Sequence, residues 1–203
     1  MGALLDRSRL RALLSRWIET PGARVLAALG FTPNRVTLLG IALAGVAAWL
    51  VATDRLVLGG GVFLLAGFLD LLDGALARRT GAATRFGGFL DSVGDRLGEA
   101  ALLLGVLLLA LDRDDSTLAL LVYLVLASSM MVSYTRARAE GLGIPGAVGL
   151  LTRPERVVLL SVALFTGLLK PVLAVVAGLA LVTVLQRTVH VWRAGGRDGE
   201  EEK

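Results

Sequence analysis

The sequence contains no cysteine and a single histidine in 203 residues. The absence of cysteine excludes a disulfide framework, a thiolate nucleophile and a cysteine-based metal site. One histidine excludes a metal centre built from several imidazoles, so any bound metal must be held by oxygen atoms. Charge is also scarce, since 19% of the residues are charged and 55% are hydrophobic. This composition, with a mean hydropathy of +0.73, excludes a soluble globular domain.

Long apolar runs predict an all-α integral membrane protein with six transmembrane helices. A bilayer-spanning helix needs roughly 20 mostly apolar residues, and such runs lie at 36–53, 56–77, 86–111, 116–135, 155–169 and 171–192. Residues 1–30 alternate apolar residues with arginine, which predicts an amphipathic juxtamembrane helix on the membrane surface. We therefore expect this interfacial helix, a membrane domain over 31–194 and a disordered, charged tail over 195–203.

The basic residues indicate how the chain is oriented. All but three of the 21 lysines and arginines lie in the N-terminal segment, around alternate connections, or at the C-terminal end; the exceptions are Arg55, Arg113 and Lys170. By the positive-inside rule, both termini and the connections rich in arginine face the cytoplasm. The net charge of +4 in so apolar a chain favours a bilayer and anionic substrates. No nucleic-acid partner is expected.

Four aspartates, Asp70, Asp73, Asp91 and Asp95, fall within two consecutive predicted spans. Ionisable groups inside a membrane cost at least about 2.5 kcal/mol each, so they point to function. The spacings of three and four residues place each pair on one face of its helix. Because the two helices are joined by a short connection, they run antiparallel and can turn these faces toward one another. Such a carboxylate cluster suits two Mg²⁺ or Mn²⁺ ions, which stabilise charge in phosphoryl transfer.

Nearby glycines and an arginine fit a phosphate-bearing ligand. Gly74 and Gly87 leave out side chains where a bulky substrate has to approach, and Arg78 lies about one turn after Gly74. Two structural explanations compete: glycines also let membrane helices pack closely, and the aspartates could form salt bridges with neighbouring arginines, namely Arg78, Arg79, Arg85 and Arg96. Salt bridges require neither this glycine placement nor both same-face spacings, so we favour the ligand site.

The complete motif, D-x2-D-G-x2-A-R-x8-G-x3-D-x3-D, resembles that of the CDP-alcohol phosphatidyltransferases. Its fixed positions are filled by Asp70, Asp73, Gly74, Ala77, Arg78, Gly87, Asp91 and Asp95. The resemblance implies six transmembrane helices after an amphipathic helix, and a homodimer. It also implies transfer of a phosphatidyl-type group from a CDP-lipid such as CDP-diacylglycerol to an alcohol, with release of CMP.

The resemblance also implies roles for individual residues. The metal ligands would be Asp70, Asp73, Asp91 and Asp95. Asp95 would in addition be the base that deprotonates the acceptor hydroxyl. The CDP-lipid would be bound by Pro33, Asn34, Arg35, Val36, Gly74, Arg78, Thr84 and Gly87. Taken alone, the segment that begins at Pro33 is equally typical of a helix start.

A second basic cluster bears on the acceptor. Arginines lie just after the fourth predicted span and just before the fifth, on the side of the membrane predicted to hold the aspartates. Arginines in these positions suit a phosphate on the acceptor. One subgroup of the family uses inositol 1-phosphate. This chain resembles that subgroup in two segments, S-Y-T-R-A-R-A-E-G-L-G and R-P-E-R. That resemblance implies acceptor-phosphate contacts by Arg136, Arg153, Arg156 and Arg187. The alternative role of these arginines is membrane anchoring.

Two other functions stay open at the level of the sequence. The first is the same chemistry with glycerol 3-phosphate as acceptor, which would give phosphatidylglycerophosphate. The second is a divalent-cation transporter that binds metal through its intramembrane aspartates. The transporter is disfavoured because the pattern supplies no second polar pathway across the membrane.

Overall fold

Seven α-helices and no β-strand form the part of the chain that the structure describes. The computed structural model covers residues 19–201, and for Thr20 and residues 195–201 it describes the backbone alone. The helices are α1 (Thr20–Ala28), α2 (Pro33–Ala52), α3 (Leu56–Thr80), α4 (Arg85–Asp112), α5 (Ser116–Gly141), α6 (Arg153–Thr166) and α7 (Leu169–Glu201). The predicted all-α fold class is confirmed.

Local sequence signals explain several helix ends near the aspartates. Pro33 is the first residue of α2, where its missing N–H and fixed φ are compatible with a helix. Helix α3 ends at Thr80, before Gly81, whose φ of 66° is left-handed and favours glycine. Helix α4 begins after Thr84, whose hydroxyl accepts a hydrogen bond of 2.9 Å from the Gly87 N–H.

The six predicted spans coincide with helices α2 to α7. Four helices of the described chain are long and apolar enough to cross a membrane: Pro33–Ala52, Leu56–Thr80, Ser116–Gly141 and Leu169–Ala194. The other two differ from a simple apolar span. Helix α6 has only 14 residues, and α4 carries four charged residues between its first turns and its middle, namely Asp91, Asp95, Arg96 and Glu99. The described part of the chain is thus all-helical and contains four candidate membrane spans.

The structure describes part of each predicted terminal segment. Of the interfacial helix predicted over 1–30, residues 1–18 lie outside the described part, and α1 covers Thr20–Ala28. At the other end, α7 continues to Glu201, whereas a disordered tail was predicted over 195–203.

The order of the helices brings their polar ends together. Helix α2 packs against α3 and α4, α3 against α6, α4 against α5, and α7 against both α5 and α6. Short connections make successive helices antiparallel, and α6, which follows the longer connection over 142–152, packs against α3 and α7. The first residues of α2, α4 and α6 therefore share one end of the bundle with the last turns of α3 and α5, and with the later part of α7. The alternating direction of the helices therefore places the aspartates and the arginines at this end.

Ion pairs close the opposite end of the bundle. Arg113 Nη2 lies 2.5 Å from Asp54 Oδ1, and Lys170 Nζ lies 2.7 Å from Asp115 Oδ2. The hydrogen bond from Lys170 holds the pKa of the Asp115 carboxyl below its usual range. Two of the three basic residues predicted to lie away from the cytoplasm are thus paired with carboxylates.

Glycine allows α2 and α4 to approach closely. A Cβ atom at Gly105 of α4 would lie 2.4 Å from the backbone oxygen of Ala48 in α2. We expect Gly105→Ala to destabilise the protein by about 1–3 kcal/mol, because the two backbones must separate. Unfolding of the purified protein in detergent measures this. Gly45→Ala on α2 is the matched control, since nothing lies within 4 Å of its added Cβ. Equal stability of both variants would contradict the prediction.

Candidate active site

Three carboxylates converge between α3 and α4. Asp70 comes from α3, and Asp91 and Asp95 lie one turn apart on α4. One oxygen of each carboxylate lies within 4.8 Å of the corresponding oxygens of the other two. All three side chains are partly buried. We call Asp70, Asp91 and Asp95 the carboxylate trio.

Asp73, the fourth predicted ligand, lies outside the trio in the structure. Its side chain is buried, and its Oδ2 accepts a hydrogen bond of 2.6 Å from the Thr37 hydroxyl of α2. Asp73 nevertheless lines the same cavity as Asp91. Its role as a metal ligand stays a prediction.

The trio fits a divalent cation by its donor chemistry. It offers only carboxylate oxygens, the hard ligands that Mg²⁺ and Mn²⁺ favour. Asp95 Oδ1 is buried and receives no hydrogen bond, although the Arg153 Nη1 atom lies 2.8 Å away. Arg153 also contacts Asp70 Oδ2. A buried oxygen without a hydrogen bond, next to two further carboxylates, is the arrangement that a metal ion would complete.

A cavity of about 240 Å³ opens on one side of the trio. Its lining includes six of the predicted CDP-lipid residues: Pro33, Asn34, Gly74, Arg78, Thr84 and Gly87. Arg35 and Val36 are not part of this lining. Val36 is instead buried in a small apolar cluster with Ala23 of α1 and Leu76 of α3. We call this space the glycine cavity.

Its two motif glycines keep the glycine cavity open. A Cβ atom at Gly87 would lie 3.0 Å from Thr84 Oγ1 and 3.2 Å from Asn34 Oδ1. A Cβ atom at Gly74 would lie 3.5 Å from Arg78 Nη1. The Arg78 guanidinium is largely exposed, and its Nη2 lies 3.1 Å from Glu19 Oε2. The exposed ion pair leaves this arginine accessible to an anion in the cavity.

A second cavity, of about 80 Å³, is bordered by Asp95 of the trio. All four arginines predicted to bind the acceptor line it, and they come from three different helices. The complete lining is Asp95, Arg96, Val132, Ser133, Arg136, Thr152, Arg153, Arg156 and Arg187. We call this space the arginine cavity.

Each of these arginines is held by a partner of its own. Buried Arg156 makes a two-pronged ion pair with buried Glu99, with Nη2 at 2.8 Å and Nε at 2.9 Å from the carboxylate oxygens. Arg187 donates from Nε to the Val148 carbonyl at 2.7 Å and also donates to the Val132 carbonyl. Arg136 Nε lies 2.8 Å from the exposed carboxylate of Glu140. These contacts hold the guanidinium groups of Arg136, Arg156 and Arg187 around the cavity.

Several supporting residues were not among the sequence-predicted site residues. Thr183 and Gln186 of α7 accept hydrogen bonds from the backbone N–H groups of Leu151 (3.0 Å) and Leu150 (3.1 Å). These bonds attach the segment before α6 to α7 and so position the start of α6. The signal available in the sequence was the occurrence of polar Thr183 and Gln186 within an otherwise apolar span.

Comparison with known proteins identifies the family. The sequence profile described as CDP-alcohol phosphatidyltransferase matches residues 31–188, which is most of the chain. This chain belongs to the CDP-alcohol phosphatidyltransferase family. Membership confirms the resemblance carried by the motif. It also makes the chain an enzyme of this type, rather than the cation transporter that was the alternative.

Individual relatives of this CDP-alcohol phosphatidyltransferase agree with one another. It is 39% identical over 181 residues to archaetidylinositol phosphate synthase of Pyrococcus horikoshii, covering 89% of this chain and 93% of the relative. The crystal structure of Mycobacterium tuberculosis phosphatidylinositol phosphate synthase with CDP-DAG bound is similar, with a TM-score of 0.79, 33% identity and coverage of 86% and 94%. The same enzyme in complex with manganese and citrate gives a TM-score of 0.76, 34% identity and coverage of 86% and 89%.

Proposed function

We propose that this CDP-alcohol phosphatidyltransferase transfers the phosphatidyl group of CDP-diacylglycerol to inositol 1-phosphate. The products are a phosphatidylinositol phosphate and CMP. The observation that carries the proposal is the arginine cavity beside Asp95, because a cavity lined by arginines suits an acceptor that bears a phosphate. The glycine cavity on the other side of the trio gives the CDP-lipid a separate place.

The reaction is a displacement at phosphorus. The acceptor hydroxyl oxygen bonds to the β-phosphorus of the CDP-lipid, the bond from that phosphorus to the bridging oxygen breaks, and CMP leaves. Asp95 borders the arginine cavity, so we assign its carboxylate to accept the proton of the acceptor hydroxyl. Binding both substrates against the trio supplies most of the remaining acceleration through proximity and orientation.

We assign the binding of divalent cations to the carboxylate trio. Asp70, Asp91 and Asp95 would hold them, with Asp73 as the predicted fourth ligand. The crystal structure of the relative in complex with manganese supports the use of a divalent metal. When bound, two Mg²⁺ or Mn²⁺ ions neutralise the negative charge that builds up on the phosphate oxygens.

The glycine cavity is assigned to the CDP part of the donor. Gly74 and Gly87 leave room for the diphosphate and the cytidine, and Arg78 pairs with a phosphate. Pro33, Asn34 and Thr84 line the remaining wall. The relative with CDP-DAG bound supports a site for this donor.

The proposal extends to the arrangement of the chain in the membrane. We propose a single membrane domain over 31–194 with six membrane helices, in which α4 and α6 enter the bilayer with their polar ends at the cytoplasmic surface. The interfacial helix over 1–30, the cytoplasmic location of both termini and of the site, and a homodimer complete the proposal. It is supported by the charge distribution and by the alternating direction of α2 to α7.

Glycerol 3-phosphate is the competing acceptor, because it presents the same phosphate to the arginine cavity. The test is CMP release by the purified protein with CDP-diacylglycerol, a divalent metal and one acceptor at a time. We expect release with inositol 1-phosphate and at most traces with glycerol 3-phosphate, serine or free inositol. Chelation of the metal should abolish release, and added Mg²⁺ or Mn²⁺ should restore it. Release with glycerol 3-phosphate alone would overturn the assigned acceptor and leave the family chemistry intact.

A further inference from the structure

Arg153 lies between the carboxylate trio and the arginine cavity and takes part in both. Its Nη1 atom contacts Asp70 Oδ2 and lies 2.8 Å from Asp95 Oδ1, two of the oxygens available within the trio. The same side chain lines the arginine cavity. Among the described arginines of that cavity, Arg153 is the one paired with the trio, whereas Arg156 pairs with Glu99 and Arg187 with backbone carbonyls.

A guanidinium and a divalent cation compete for these oxygens. Each neutralises the same carboxylates, and two cationic groups close to one another repel. A metal ion that binds Asp70 and Asp95 therefore weakens the hold of the trio on Arg153. Conversely, removal of the Arg153 guanidinium from the carboxylates makes their oxygens more available to a metal.

The backbone around Arg153 gives the side chain a fixed base. Arg153 is the first residue of α6, directly after Thr152. The Thr152 N–H donates a hydrogen bond of 2.9 Å to the Glu155 carboxylate, which caps the helix. The Arg153 side chain must therefore rotate to change its partner. An anion bound in the neighbouring arginine cavity can pair with the rotated guanidinium.

We propose that Arg153 couples the two sites. Divalent-cation binding to the trio releases its guanidinium to the phosphate of the acceptor, and acceptor binding in turn draws Arg153 away from the carboxylates. This inference rests on the proposed function, because it takes the trio as the cation site and the arginine cavity as the phosphate site. Cation and acceptor then bind cooperatively, and linkage requires the effect to be equal in both directions.

Binding of Mn²⁺ tests the coupling without turnover. The full chain in detergent, without CDP-lipid, is titrated with Mn²⁺ and the free ion is followed by electron paramagnetic resonance. The titration is done alone, with inositol 1-phosphate and with inorganic phosphate. For the unmodified protein we expect inositol 1-phosphate to tighten Mn²⁺ binding by about tenfold, within the usual range of coupling between sites. A similar effect of inorganic phosphate would assign the coupling to the phosphate group itself.

Variants of Arg153 separate coupling from a structural role. In Arg153→Gln we expect Mn²⁺ to bind several-fold more tightly without acceptor, and the effect of inositol 1-phosphate to fall below twofold. Arg153→Lys keeps the charge but lacks the planar fork, so it should retain a reduced coupling; it also serves if Arg153→Gln fails to fold. Arg138→Gln is the matched control, because Arg138 is exposed on α5 and does not line the cavity.

The outcomes distinguish the two proposals. If the unmodified protein binds Mn²⁺ equally well with and without inositol 1-phosphate, or if the Arg153 variants keep the full coupling, the role of Arg153 is wrong while the cation site stands. If no Mn²⁺ binds to the unmodified protein at all, the proposed cation site fails, and with it the coupling.

Discussion

Asp95→Asn is expected to lower the rate of CMP release by about 10²–10⁴-fold, the usual contribution of a general base. Asparagine is similar in size to aspartate but cannot take up the proton of the acceptor hydroxyl. It also removes one negative charge from the carboxylate trio. Initial rates of CMP release at saturating CDP-lipid, metal and inositol 1-phosphate measure the effect.

The matched control is Asp112→Asn. Asp112 lies on the same helix but is exposed at its far end, so we expect an activity close to that of the unmodified protein. Mn²⁺ binding should be measured for both variants, because loss of a ligand also lowers activity. An Asp95→Asn enzyme with a normal rate at saturating metal would remove Asp95 from the mechanism.

Arg156→Met is expected to destabilise the protein by about 3–5 kcal/mol, the typical cost of leaving one partner of a buried ion pair alone. The side chains of Arg156 and Glu99 are 4% and 8% exposed, so little water is available to solvate an isolated Glu99 carboxylate. Unfolding of the purified variant in detergent, compared with the unmodified protein, measures the loss.

The double variant Arg156→Met with Glu99→Leu distinguishes stability from function. Replacing both partners by apolar residues should recover most of the stability, because no unpaired buried charge remains. The KM for inositol 1-phosphate should stay raised, since the arginine cavity has lost one cation. Glu140→Gln is the control for an exposed pair, and it should change the stability by no more than about 1 kcal/mol. A stable Arg156→Met single variant would contradict the role of this pair.

Much of the fold was accessible from the sequence because the bilayer imposes a strong local rule. Backbone polar groups in hydrocarbon must be satisfied within the same segment, so long apolar runs become helices. The runs at 36–53 and 56–77 correspond to Pro33–Ala52 and Leu56–Thr80. The run at 155–169 became the shorter α6, which ends at Thr166 before Gly167 with its left-handed φ of 72°.

The candidate site was accessible in part, for a related reason. Spacings within one helix are set by its period, so the shared face of Asp91 and Asp95 follows from their numbers alone. At the start of α2 the resemblance implied a contact between Val36 and the donor, whereas in the structure Val36 packs in the apolar cluster with Leu76. Which face of α2 is buried depends on the helices packed around it, and no spacing within α2 specifies that.

By itself, the sequence determined the all-α fold, the motif with its four aspartates and the oxygen-only character of any metal site. The tertiary structure decided which charges meet. Arg153 contacts Asp70 across 83 positions of the chain, and Arg156 pairs with Glu99 across 57. No periodicity connects residues so far apart, because their contact depends on which helix faces are buried against one another. The packing of α6 against α3, and not any local pattern, therefore placed Arg153 between the carboxylate trio and the arginine cavity.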